Sequence, residues 1–268
     1  MDEDEEVLFS IDEDKIAKLT LNRPEVHNAL DEDSIHKIRE FLKVLYEDPT
    51  VRALVVVGNG SSFCSGADLH WMERASEVTE AENVQDANLL FSMLSSFNSL
   101  PIPVLTYVHG LVMGGGIGII GCSDIVISDS KTVFGFPEVK LGLAPAIISP
   151  YVLKGINSRL IRRYFLTGEN FDATKALQIG LIHEIVDAES QEEALAPFLR
   201  QILIASPIAL RQTKKLLSQL APSIGEKEQQ ITVETITRLR RSEEGIQGIK
   251  AFLEKKSPPW ISERFKDD

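Results

Sequence analysis

Val108-His109-Gly110-Leu111-Val112-Met113-Gly114-Gly115-Gly116-Ile117-Gly118 is the stretch on which the reading of this chain turns. It carries five glycines between positions 110 and 118, set between the apolar runs Val104 to Val108 and Ile119 to Ile120. Residues without a Cβ accept φ > 0 and let a backbone come very close to another group. Where such a run leaves a strand and opens a helix, its free N–H groups point outward and favour negative charge. The competing reading is a tight turn or a closely packed helix. The spacing is not G-x-G-x-x-G, because the glycine after Gly110 is Gly114, and no Gly-Lys-Ser/Thr of a phosphate-binding loop follows. A small oxyanion hole therefore fits better than a nucleotide-phosphate site.

A second junction of the same kind lies upstream. Ala53-Leu54-Val55-Val56-Val57 is a continuous, largely β-branched apolar run that reads as a strand buried on both faces. It feeds a small-residue loop from Gly60 through Ser65-Gly66-Ala67-Asp68-Leu69. If this strand and the strand Val104 to Val108 are neighbours, the two loops lie side by side and offer one N–H each to a single oxygen.

Around these junctions the pattern predicts an α/β chain. Val7 to Ile11 and Ile16 to Leu21 form a hairpin, Asp31 caps a helix with Ile35, Ile38, Leu42 and Leu45 on one face, and Val84 to Leu100 forms another helix. Short strands at Ile125 to Ser128 and Thr132 to Phe134 follow. From Ser158 onward the pattern is helix after helix: 159–166, 173–178, 190–205, 208–220, 227–240 and 242–255. The expected division is a core over 1–200 carrying the site and a helical C-terminal part over 201–268.

The 28 basic and 40 acidic residues give a net charge of −12, which opposes nucleic acid as a main partner. Cys64 and Cys122 are too few for a disulfide framework and lack metal-ligand spacing, so no metal is expected and a reducing compartment is. No apolar run reaches the ~18 residues needed to span a bilayer. The run Asp2 to Glu6 is acidic where a targeting peptide is basic. The expectation is a cytoplasmic protein that does not act on membranes.

Six segments, in order, resemble the crotonase (enoyl-CoA hydratase/isomerase) superfamily nearly end to end. They are Arg23 to Leu30, Phe63-Cys64-Ser65-Gly66-Ala67-Asp68-Leu69, His109 to Gly116, Cys122-Ser123-Asp124, Phe136-Pro137-Glu138-Val139-Lys140-Leu141-Gly142-Leu143, and Ala176 to Ile182. The resemblance implies a spiral of ββα units with a helical C-terminal trimerisation part, assembled as a homotrimer or a pair of trimers. The implied substrate is an acyl-CoA thioester, with coenzyme A belonging to the substrate and no separate cofactor. It further implies that the amides of Ala67 and Gly115 grip the thioester carbonyl. The CoA moiety is expected along His27, Asn28 and Ala29 and along Ala67, Asp68, Leu69 and His70, with Cys64 and Gly114 among the substrate-binding positions. Phe252 and Lys255 match positions that approach the CoA of a neighbouring subunit.

Hydratases of the superfamily usually carry two glutamates. The second is present as Glu138; the first position is Gly118. Glu138 is therefore the expected proton carrier, for hydration or for Δ3-Δ2 isomerisation. A non-catalytic CoA-binding scaffold is the third reading. His70-Trp71-Met72 and Leu141 to Pro150 are similar to bacterial methylglutaconyl-CoA hydratase-like members, which favours hydration and a branched or carboxylated acyl group. Such a group calls for a cation in its pocket, and Lys140 is the candidate. His109 reads as a structural histidine, Asp68 as a backbone acceptor in its loop, and Asp124 as structural.

Overall fold

The computed structural model describes residues 5–74, 78–220 and 224–261. Residues Asp2 to Asp4 of the acidic run lie outside the described residues. The first hairpin pairs β1 (Val7–Ile11) with β2 (Ile16–Leu21) in antiparallel register, Val7 against Leu21. After a 3-10 turn at Pro24–Val26 comes α1 (Glu32–Glu47), which opens on a full capping box: Asp31 accepts from Ser34 N–H while Ser34 Oγ accepts from Asp31 N–H. Then follow β3 (Ala53–Gly58), α2 (Leu69–Arg74), α3 (Glu80–Ser99), β4 (Val104–Val108), β5 (Leu111–Met113) and α4 (Gly115–Gly121). Beyond these lie β6 (Ile125–Ser128), β7 (Val133–Gly135), a second 3-10 turn at Pro137–Leu141, α5 (Ser149–Gly155), α6 (Ser158–Thr167), β8 (Phe171–Asp172), α7 (Ala173–Gln178) and β9 (Glu184–Ile185). The chain closes with α8 (Gln191–Ile204), α9 (Pro207–Leu220), α10 (Glu226–Arg240) and α11 (Glu243–Leu253).

Six strands form one sheet in the order β1-β2-β3-β4-β6-β9, parallel from β2 onward, and β5-β7-β8 form a smaller one. β3 and β4 are buried along their whole length, which explains their unbroken apolar sequence. Alternate residues serve opposite layers. Leu54, Val56 and Val104 join the core containing Ile35, Leu42, Leu94 and Phe97, whereas Val55, Val57, Leu105 and Tyr107 pack on Ala194, Leu195 and Ile202 of α8. Single parallel bridges, Leu30 to Ala67 and Cys64 to Val112, lead from the large sheet toward the small one. The chain thus winds repeatedly as strand, strand, helix, the spiral that the resemblance implies.

The described helices and strands include several that the sequence reading omits: α2, α5, β5, β8 and β9. Each is seven residues or shorter, and two or three residues of strand carry too little alternation to read. α3 begins at Glu80 rather than Val84, because Thr79 accepts from Glu82 N–H and Glu82 Oε2 accepts from Thr79 N–H, adding a polar first turn that periodicity does not report.

Candidate active site

β3 and β4 are hydrogen-bonded neighbours, so the loops that follow them meet. Cys64 N–H donates to Leu111 O at 3.1 Å and Met113 N–H donates to Cys64 O at 2.9 Å, tying the two loops backbone to backbone. Gly66 and Gly114 sit at φ +104° and +43°, and a Cβ on Gly114 would stand 3.9 Å from the Gly66 Cα. The positive φ at both positions favours residues without a Cβ.

The crossing leaves two amides without hydrogen-bond partners among the described residues. Leu30 N–H donates to Gly66 O and Asp68 N–H to Leu30 O, so the ladder uses the residues on either side of Ala67 and turns the Ala67 N–H away. Gly115 is the first residue of α4, whose first internal bond runs from Gly118 N–H to Gly114 O; the Gly115 N–H precedes it. Ala67 and Gly115 are partly exposed, while Gly66, Asp68, Gly114 and Gly116 beside them are buried.

Glu138 enters from the turn after β7, where Pro137 begins a 3-10 helix. Its carboxyl lies against the same loop: a Cβ on Gly114 would come within 3.1 Å of Glu138 Oε1. Part of the side chain faces the cavity, but Oε2 is buried and has no hydrogen-bond partner among the described residues. Loss of hydration penalises the charged form and pushes this carboxyl up to about 7, opposed in part by a hydrogen bond to its own backbone. A group of that strength can accept and return a proton near neutral pH.

Where a second carboxylate is expected, the wall is filled. A Cβ on Gly118 would meet Ile148 Cγ2 at 2.7 Å and Leu94 Cδ1 at 3.1 Å. Gly118 is thus buried against Ile148 and Leu94, and a larger side chain there would have to displace them.

Ala67, Gly115 and Glu138 face one cavity of about 970 Å³. Of the residues expected from sequence, His27, Ala29, Ala67, Asp68, Leu69, His70, Gly114, Gly115, Glu138, Lys140 and Phe252 line it. Asn28, Cys64 and Lys255 do not. Asn28 is a buried clasp, accepting from Arg23 N–H and donating to Asn59 O and Ser62 O, each at 2.8 Å. Cys64 packs under Gly116, and burial pushes its thiol up to about 12, so it is inert. Both hold the loops in place. In the closing segment Lys256, rather than Lys255, faces the cavity. Phe252 lines the cavity of its own chain, since α11 docks backbone to backbone on the Glu138 turn: a Cβ on Gly248 would stand 2.4 Å from Leu141 O.

The remaining assignments also have places. Asp68 accepts from His70 N–H at 2.9 Å and pairs with Arg23 at 3.0 Å; Arg23 also reaches Asp31 and Ala29 O. His109 donates through Nε2 to Gly60 O at 3.0 Å. Asp124 accepts from Val104 N–H and Lys214 Nζ. Lys140 is exposed at the cavity rim, its stem beside Gly168. The cation that sequence reasoning missed is Arg240, 8% exposed and in the cavity wall. In the run Arg238-Leu239-Arg240-Arg241 it reads as one of several charges at a helix end, and nothing local distinguishes the one that turns inward.

Residues 12–263 match the enoyl-CoA hydratase/isomerase family. A crystal structure of an enoyl-CoA hydratase from Shewanella pealeana shares 39% identity and a TM-score of 0.78, over 96% of each chain. Among curated relatives, the crotonyl-CoA hydratase of Syntrophomonas wolfei is 27% identical over 252 residues, covering 93% of this chain and 96% of its own. The 2,3-dehydroadipyl-CoA hydratase of Escherichia coli is 28% identical over 251 residues, covering 91% and 94%. A match that runs through both loops, the Pro-Glu turn and the closing helices, on a fold shared with a solved relative, makes this chain a member of the enoyl-CoA hydratase/isomerase family.

Proposed function

We propose that the protein is an enoyl-CoA hydratase that uses one carboxylate. The observation that carries this reading is the convergence in one cavity of two amides without partners among the described residues, Ala67 and Gly115, beside the largely buried Glu138. The thioester oxygen accepts from both N–H groups, which stabilise it most when it becomes an enolate; one such donor contributes on the order of 3 kcal/mol. Ionised Glu138 takes a proton from water as the water oxygen bonds to the β-carbon. The double-bond electrons move into the enolate, and Glu138 then delivers the proton to the α-carbon. Water is added across the double bond, and the enzyme is regenerated.

Isomerisation is the second reading, favoured by the packing of Ile148 and Leu94 against Gly118, which leaves no room for a second carboxylate at that position. In that chemistry Glu138 removes the α-proton of a 3-enoyl thioester and returns it at the γ-carbon. One assay separates the two. With 2-enoyl-CoA thioesters the conjugated absorbance falls if hydration occurs; no fall with any chain length, together with conversion of a 3-enoyl-CoA, assigns isomerisation instead.

The proposed acyl group is an enoyl chain, with a branched or carboxylated one such as 3-methylglutaconyl included; the 2,3-dehydroadipyl group named for one relative carries a second carboxyl. CoA binds along His27, Ala29 and the Ala67 to His70 segment, with Lys256 at the rim. The proposed assembly is a homotrimer or dimer of trimers, supported by α9, which buries none of its residues and exposes Ile208, Leu216, Leu217 and Leu220. No single described helix is long and apolar enough to cross a membrane; α8 and α9 qualify only as a pair bent by 103°. Both cysteines are free and buried, which suits the cytoplasmic location proposed.

A further inference from the structure

We infer that Arg240 is a specificity-determining residue that selects acyl groups bearing a carboxylate distal to the thioester. The inference rests on the proposed acyl-CoA site and names the substrate class for it.

Arg240 ends α10, which packs along α3 through Val233 and Ile236. Its guanidinium carbon lies 5.6 Å from the centre of the Trp71 ring. The residue is 8% exposed and lines the same cavity as Glu138. Nη1 is buried with no acceptor, and among the described residues no carboxylate comes within 4.0 Å of the guanidinium. Asp86 is the acidic group that influences it, yet Asp86 Oδ2 accepts from Trp71 Nε1 at 3.1 Å. The same cavity is also lined by the apolar side chains of Met72, Leu90, Ile148 and Ile236.

A buried guanidinium with an open donor is costly unless an anion completes it. Its planar fork matches a carboxylate in two parallel hydrogen bonds. CoA phosphates are a poor fit for that role, because Arg240 is buried beside the Trp71 ring, whereas Lys140 and Lys256 line the same cavity and are exposed. An acyl chain that ends in a carboxylate offers an anion to the part of Arg240 that lines the cavity and leaves the apolar lining to its methylenes.

The test compares hex-2-enoyl-CoA with hex-2-enedioyl-CoA, which differ only in the terminal carboxylate. Wild-type protein is expected to favour the enedioyl thioester in kcat/KM. Arg240→Gln is expected to lower kcat/KM for that thioester roughly 10- to 100-fold, mainly through KM, the scale of a charge-assisted hydrogen-bonded pair. Its loss on hex-2-enoyl-CoA should be smaller, so that the ratio of the two kcat/KM values falls. Arg240→Lys, which keeps the charge and loses the fork, should fall between; it serves where the glutamine variant does not fold. Equal losses on both thioesters, or a wild type indifferent to the carboxylate, would overturn the inference and leave Arg240 a structural partner of Asp86 and Trp71. Calorimetric binding of the two thioesters separates this inference from the hydratase reading. Tighter enedioyl binding that Arg240→Gln abolishes supports Arg240 even where nothing is turned over, and equal binding refutes it.

Discussion

Glu138 shows how a carboxyl acquires its chemistry from surroundings that sequence only partly reveals. The Phe136-Pro137-Glu138 motif marks the residue, but the environment that raises its proton affinity comes from distant segments, the Gly114 loop and the walls around it. The consequence for stability follows from the sign of the shift. A carboxyl raised from 4.5 to about 7 contributes stability that is fully present below pH 4.5 and is lost as pH rises through 7. Replacing it with glutamine removes that dependence. The ligand-free Glu138→Gln variant is therefore expected to equal wild type at pH 4.5 and to exceed it by on the order of 3 kcal/mol at pH 8. Denaturant titration at both values checks this; a variant no more stable at pH 8 contradicts the burial of an uncompensated charge. Gly118 teaches the complementary lesson: sequence shows a missing glutamate, but only the contacts of Ile148 and Leu94 show that its volume is occupied.

Elements position the site through loops pinned at both ends. β3 and β4 deliver Ala67 and Gly115, and this part was legible because unbroken β-branched runs ending in glycine have few alternatives. The intervening β5 was not, although its backbone bonds to Cys64 set the spacing of the two amides. Nor could spacing along the chain distinguish Asn28 and Cys64, which hold the loops from behind, from residues that face the cavity. Arg23 fastens the whole assembly, joining Asp31, Ala29 O and the buried Asp68. Arg23→Ala leaves Asp68 without its cation, and the expected loss is roughly 3 kcal/mol in stability. Because the Ala67 loop loses its anchor, CoA-thioester affinity should fall as well. Unchanged values in a thermal melt and a binding titration would show that the clamp is dispensable.

At the scale of the whole molecule, one winding pattern serves two purposes. The parallel sheet buries both of its faces, under α1 and α3 on one side and α8 on the other, and so fixes the loops rigidly at its end. α10 and α11 then fold back over the cavity and contribute Ile236, Arg240, Ile249 and Phe252 to its wall. The helical run after residue 190 was legible from sequence; its return to the active site was not, because it depends on close backbone approaches at Gly142, Gly245 and Gly248 that no periodicity encodes. The central claim is that Glu138, facing two free amides, carries the proton in hydration. The most direct measurement is turnover of a 2-enoyl-CoA by wild type and Glu138→Gln across pH 5 to 9, with thioester binding measured alongside. The account predicts that wild-type kcat/KM rises with pH through an inflection near 7, as Glu138 ionises, and that the variant loses several orders of magnitude in kcat while binding the thioester almost normally. Full turnover by Glu138→Gln would contradict it.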